Sequence, residues 1–209
     1  VLMIVACGLM LLLVERNFDL SGGAAVYFVS VVVSKMVVTY KFGIVPSIAV
    51  ALACGLLLGC INGVFVGYVA VPAFIATLAS QLVFKGVGYT WTDAATIGPI
   101  PERLADLSEG YIPTAASGAL IVVVCLAACA GVLLNYRKMR AWHAGLNQVI
   151  WELAIAVAIG AIAFRVFTGY HGIPMCVLFA SVMIAVTSFI ANKTVFGRHI
   201  YIIGGNPEA

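Results

Sequence analysis

Ile44–Tyr68 reads IVPSIAVALACGLLLGCINGVFVGY, a run without one charged side chain. An apolar run of this length crosses a hydrocarbon core of about 30 Å as a single helix. Within it Gly55, Gly59, Gly63 and Gly67 recur every four residues, so they share one helix face. Such a stripe lets another backbone approach closely. Static helix packing is the favoured use of it, and a sliding contact in a transport cycle is the other. Asn62 sits beside the stripe, placed either to bond a neighbouring helix, which is favoured, or to line a polar path.

The rest of the chain has the same character. It is 64% hydrophobic and 9% charged, with a mean hydropathy of +1.15; a soluble domain is roughly a quarter charged. Apolar segments fall at about 1–14, 21–40, 44–68, 72–91, 117–135, 149–168 and 174–191. The runs are continuous rather than alternating, which argues for helices and against a barrel. The expected fold is an all-α, polytopic transmembrane helical bundle with about seven membrane segments. It forms one transmembrane domain over 1–209, incomplete at both ends, because Val1 lies in mid-run and Ala209 inside a new helix. Val1–Val14 lacks the charged leader of a signal peptide. The cysteines (Cys7, Cys54, Cys60, Cys125, Cys129, Cys176) lie in apolar runs without metal-ligand spacing, so they read as small packing residues and not as disulfides. A net charge of +3 speaks to membrane topology, not to nucleic acid.

Two connectors set the orientation. Residues 92–116 hold Gly98-Pro99-Ile100-Pro101, Pro113, four acids and Arg103. Asn135–Gln148 holds Arg137, Lys138, Arg140 and His143. Basic loops stay in the cytoplasm, so 136–148 and 192–209 are expected there and 92–116 outside. Glu15–Asp19 then falls on the inner side. Lys35 and Lys41 fall outside, against the rule.

Several polar groups stand out from the apolar background. Pro72 suits a helix start, and Thr77, Ser80 and Gln81 follow on one otherwise apolar helix. Lys85, with Gly86 and Gly88, puts a charge before an expected break in that helix. Such a charge faces a cavity or partner, or snorkels to the surface. Asn17-Phe18-Asp19-Leu20-Ser21-Gly22-Gly23 opens the second segment. Asp19 or Ser21 serves there as a cap or as a gate or substrate contact. Arg165, Tyr170, His171 and Glu152 read as interface residues. In the last stretch Gly204 and Gly205 are suited to positive φ and to closing one element. Asn206 as N-cap, Pro207 at the first position and Glu208 in the first turn then start another. No catalytic set is present, no metal ligands cluster, and no Gly-x-x-x-x-Gly-Lys-[Ser/Thr] loop offers an ATP site.

Three of these motifs resemble the permease subunits of bacterial ATP-binding-cassette importers for monosaccharides (ribose, xylose, arabinose, galactose). Asn17–Gly23 is similar to the family's Gly-Gly-x-Asp-Leu-Ser-x-Gly, with Arg16 and Asn17 in place of two glycines and Gly22 in place of a usual Val. Ile61-Asn62-Gly63 running on to Val71-Pro72-Ala73-Phe74-Ile75-Ala76-Thr77-Leu78 is similar to its Ile-Asn-Gly…Val-Pro-Ser-Phe-Ile-x-Thr-Leu. Phe196–Tyr201 with Gly204–Ala209 resembles its cytoplasmic coupling segment. Thr96–Glu102 resembles the xylose branch. The resemblance implies a periplasmic sugar-binding protein, a second permease copy in a homodimer, separate ATPase subunits that bind the ATP, and a bacterial inner-membrane location. It implies no cofactor on this chain. Asp19, Ser21, Asn62, Phe74, Thr77, Gln81 and Lys85 are then candidates for the substrate path. Gly197, Arg198, Gly204, Gly205, Asn206, Pro207 and Glu208 are candidates for coupling to the ATPase.

Two other readings compete. An ion-coupled secondary transporter would favour acids at mid-membrane, whereas Asp19 and Glu152 lie near segment ends. A non-transporting scaffold would need only the glycine stripe. Aromatic sugar contacts have several unranked candidates: Tyr27, Tyr68, Phe74, Tyr89 and Trp91.

Overall fold

The computed structural model describes residues 1–139 and 146–205. Nine helices account for these residues: α1 (Leu2–Val14), α2 (Gly22–Ser34), α3 (Ile44–Gly67), α4 (Ala73–Thr92), α5 (Glu102–Glu109), α6 (Thr114–Met139), α7 (Leu146–Thr168), α8 (Met175–Lys193) and α9 (Val195–Gly205). A π-helical turn at Lys35–Thr39 continues α2. Among the described residues there is no strand, only one isolated antiparallel bridge between Tyr111 and Pro174.

Every expected apolar segment is helical. Five stretches are long and apolar enough to cross a membrane: Gly22–Thr39, Ile44–Gly67, Thr114–Leu134, Val149–Thr168 and Met175–Lys193. With two further apolar helices, α1 and α4, they make up the seven apolar segments expected. The first of these, α1, is a shorter apolar helix of 13 residues. With 20 residues, α4 is long enough, but Thr77, Ser80, Gln81 and Lys85 lower its hydropathy. Leu52, Leu56, Ile159 and Ile162 stand exposed on these helices, as faces toward lipid tails do. Hydroxyls inside the apolar segments bond back to their own helix. Ser47, Thr90, Thr168 and Thr187 each donate to the carbonyl four residues earlier, the arrangement that satisfies a hydroxyl where no water is at hand.

The described residues group into two compact units, Val1–Ala105 with the segment from Phe179 onward, and Asp106–Leu178. In the first unit α2 packs on both α3 and α4, α3 packs on α4, and α1 touches α2 and α9. Ala24, Leu58 and Phe84 are its buried centre, with Phe28, Val29 and Cys54 packed around them. In the second unit α6 and α7 form a hairpin. Small residues set its spacing: a Cβ at Gly160 would stand 2.7 Å from Cys125 Sγ. Buried Ser117 ties the ends of this unit, donating to Ile112 O at 3.0 Å and accepting from Ile173 N at 2.9 Å. The six cysteines are free thiols.

Helices extend into the connectors. The 92–116 segment contains α5, and α6 already starts at Thr114. The 136–148 connector is helical at both sides, through Met139 and again from Leu146. Good helix formers such as Arg, Lys, Met, Leu and Gln carry the helices past the apolar runs. Arg140 and His143 lie outside the described residues. The break expected at Gly86 and Gly88 does not occur, since α4 runs on to Thr92. The ring of Tyr27 occupies the place beside Gly88, where a Cβ would come 2.5 Å from Tyr27 Cε1. Packing, not chain flexibility, explains that glycine.

Candidate functional site

The polar residues singled out along α2, α3 and α4 converge on one network. Asp19 precedes α2 and folds back on it. Its Oδ1 accepts from Ser21 N at 2.7 Å and from Ser21 Oγ at 2.6 Å, an Asx turn that starts the helix. Asn62, on α3, donates through Nδ2 to Ser21 Oγ at 2.8 Å. Ser80, on α4, donates to Asn62 Oδ1 at 2.6 Å. The protons therefore run in one direction, from Ser80 through Asn62 and Ser21 to the Asp19 carboxylate, and each link polarises the next. Thr77 adds a second tie. It donates to Ala73 O at 2.8 Å in its own helix and accepts from Leu20 N at 3.2 Å.

Ser21, Thr77 and Ser80 are buried, and no buried side-chain polar atom among the described residues lacks a partner. In an apolar surrounding this network acts as a cross-link between three helices. Of the expected path residues it gathers Asp19, Ser21, Asn62 and Thr77. Ser80 joins them, and its only sequence signal was its place two turns into the same polar-dotted helix. Phe74 and Lys85 are exposed and Gln81 is half-buried. None of the three takes part in the network.

Among the described residues, the glycine stripe of α3 is not a site of close helix approach. A Cβ at Gly59, Gly63 or Gly67 meets nothing within 4 Å, and one at Gly55 meets only Val29 Cγ2 at 3.8 Å. The stripe follows from the sequence, but α2 and α4 approach α3 from other sides.

At the last described stretch the local reading of Gly204 and Gly205 is corrected. Thr194 Oγ1 accepts from Gly197 N at 3.1 Å and so caps α9, which then runs helical through both Gly204 and Gly205. Neither takes positive φ; that conformation falls to Gly172 and to five non-glycine residues, Arg16 among them. Gly204 serves close approach instead. A Cβ there would stand 1.9 Å from Val14 O, so α9 lies against the end of α1. Gly197 is buried against the Ile190 and Ala191 carbonyls at the turn from α8. Arg198 and Gly205 are exposed. Asn206, Pro207 and Glu208 lie outside the described residues.

Over residues 1–209 the sequence matches the family model described as branched-chain amino acid transport system / permease component. The chain belongs to this family. Its members are membrane permease components, not enzymes, and the apolar helices here agree with a multi-pass protein of the bacterial inner membrane. The xylose transport system permease protein XylH of Escherichia coli (strain K12) is 33% identical over 211 residues, covering 99% of this chain and 53% of XylH. The Haemophilus influenzae protein of that name is 30% identical over 98% of this chain and 55% of its own length. The autoinducer 2 import system permease protein LsrC of Escherichia coli (strain K12 / DH10B) is 26% identical over 97% of this chain and 58% of LsrC. The chain thus spans about half the length of the curated relatives it matches. No solved structure matches it.

Proposed function

We propose that this chain is part of the permease subunit of an ATP-driven importer and helps to form the path of a monosaccharide, with xylose the first candidate among pentoses and hexoses. The observation that carries this reading is the identity to XylH along nearly the whole chain. Separate ATPase subunits bind and hydrolyse ATP, a periplasmic binding protein delivers the sugar, and a second permease copy completes the path. Differential binding of nucleotide to the two states of the assembly shifts it between outward-open and inward-open forms. The basic connectors support a cytoplasmic position for 136–148 and 192–209 and an outer position for 92–116. On that orientation α9, with exposed Arg198, faces the ATPase. The Asp19–Ser21–Asn62–Ser80 network lies toward the inner side, where it holds α2, α3 and α4 as one gate element. The second copy gives the open glycine stripe of α3 a partner. Membership in a permease family does not favour an ion-coupled carrier or a passive scaffold.

The test is uptake by the full-length permease, co-reconstituted in liposomes with the ATPase and binding protein encoded beside it. Labelled xylose, ribose, arabinose and galactose are offered in turn. ATP-dependent accumulation of xylose above the others is expected. Accumulation without ATP, driven by an imposed ion gradient, would overturn the reading.

A further inference from the structure

A cleft of about 290 Å³ lies between the second half of α2, the end of α4 and residues 93–97. That is at the small end of ligand sites, roughly 300–1,000 Å³, and suits a single sugar ring better than an oligosaccharide. Tyr27, Ser30 and Ser34 line it from α2, spaced three and four residues apart and hence on one face. Tyr89 and Thr92 line it from α4, and Thr96 from the segment beyond.

The two tyrosine rings form a wedge, with centroids 5.5 Å apart and planes at 37°. Gly88 makes this possible, because any Cβ there would strike the Tyr27 ring. The end of α4 is bent to suit the cleft. Asp93 and Ala94, neither of them glycine, both take left-handed φ, +53° and +55°. Ala94 N then bonds Tyr89 O and Ala95 N bonds Thr92 O, both at 2.9 Å, and the chain turns back over the cleft. Paired left-handed residues beside a cavity are strain of the sort found at ligand sites. On the α2 side, the π-helical turn begins at the residue after Ser34, another feature frequent at functional sites.

The lining chemistry selects a ligand class. Ser30 Oγ donates to Val26 O and Thr92 Oγ1 to Gly88 O, which leaves their lone pairs as acceptors. Ser34 and both tyrosines have no hydrogen-bond partner among the described residues, so their hydroxyls are available to donate. No Asp, Glu, Lys, Arg or His lines the cleft. An amino acid would need partners for its carboxylate and ammonium; a neutral polyol needs only hydroxyls and an apolar ring face.

We infer that this cleft is a monosaccharide subsite at the outer mouth of the path. Tyr89 and Tyr27 stack on the C–H face of the sugar, and Ser30, Ser34, Thr92 and Thr96 bond its hydroxyls. The inference rests on the importer reading, which orients α2 and α4 so that these ends face the binding protein.

The experiment uses the reconstituted full-length importer with xylose as probe. It reads uptake, half-saturation and the melting temperature. Tyr89 is exposed, so Tyr89→Leu keeps bulk without threatening the fold. It is expected to lower uptake about five- to tenfold while the melting temperature stays at wild-type level. Ser34→Ala is expected to raise half-saturation about fivefold. Tyr89→Phe, which keeps the ring, is expected to retain most uptake. Wild-type uptake in both Tyr89→Leu and Ser34→Ala would overturn the subsite and leave the importer standing. A lowered melting temperature together with lost uptake would show a packing role and overturn it too. A wild-type complex that imports no sugar would remove the importer reading itself, and the subsite with it.

Discussion

Asn62 is the residue on which the polar contacts of the first unit meet, because its amide can donate to one helix and accept from another at once. Asn62→Leu removes both bonds and leaves Ser21 and Ser80 to find other partners, so it is expected to cost about 1–2 kcal/mol in a membrane setting. Thermal unfolding of the purified protein in detergent checks this, and Ser80→Ala should cost less, about 0.6 kcal/mol. Arg16 presents the opposite case. It closes α1 with φ +66°, its N–H bonding Leu13 O at 3.0 Å, and an L side chain in that conformation is strained. Arg16→Gly is therefore expected to stabilise by about 0.5–1 kcal/mol, the relief exceeding glycine's extra chain entropy, and a raised melting temperature would show it. Asp19, Ser21, Asn62 and Thr77 were each legible as polar residues in apolar runs. Their meeting was not, since Asn62 lies 41 residues from Ser21 and Leu20 lies 57 from Thr77.

At the scale of elements, the glycines divide by what approaches them rather than by their spacing. The four-residue stripe on α3 is open, whereas Gly88, Gly160 and Gly204 each lie against a specific atom. Gly204→Val is expected to lift α9 off α1, because its Cβ cannot coexist with the Val14 carbonyl. Faster tryptic cleavage at Arg198 in membranes is the measurement, and unchanged cleavage would remove the claim. Gly59→Leu, by contrast, is expected to leave insertion and melting of the isolated subunit unchanged, since nothing stands near it. If the second copy covers the stripe, the same substitution lowers recovery of the dimer on size exclusion. Helix identity was readable from hydropathy, and so was the start of α4 after Pro72. The continuity of α4 through Gly88 and of α9 through Gly205 was not, because tertiary contacts override the weak local preference of glycine.

For the whole molecule, orientation decides which helix ends would face which side of the membrane. Single cysteines placed at Glu109 and at Arg198, in a background with the native cysteines replaced, are expected to differ in labelling. An impermeant maleimide should reach Glu109→Cys in cells with a permeabilised outer membrane and Arg198→Cys only in inverted vesicles. The reverse pattern would turn the cleft of Tyr27 and Tyr89 toward the cytoplasm. Packing inside the subunit is concentrated in α2 with α3 and α4 and in the α6–α7 hairpin. The exposed apolar side chains outside these contacts suit lipid tails.

Hydropathy by itself determined that the chain is an all-α membrane protein and where its seven apolar helices lie, but not α5 or α9. These are local sums along the chain, and the bilayer acts on them directly: a backbone in hydrocarbon must satisfy its own hydrogen bonds, and a helix does so. Motifs in the same sequence also carried the family. Tertiary structure alone decided which polar residues share a network, which glycines face a neighbour and which aromatics share a cleft. Those outcomes depend on how each helix is rotated about its axis and where it crosses the next. A residue's type and spacing name the face it occupies but not what that face meets.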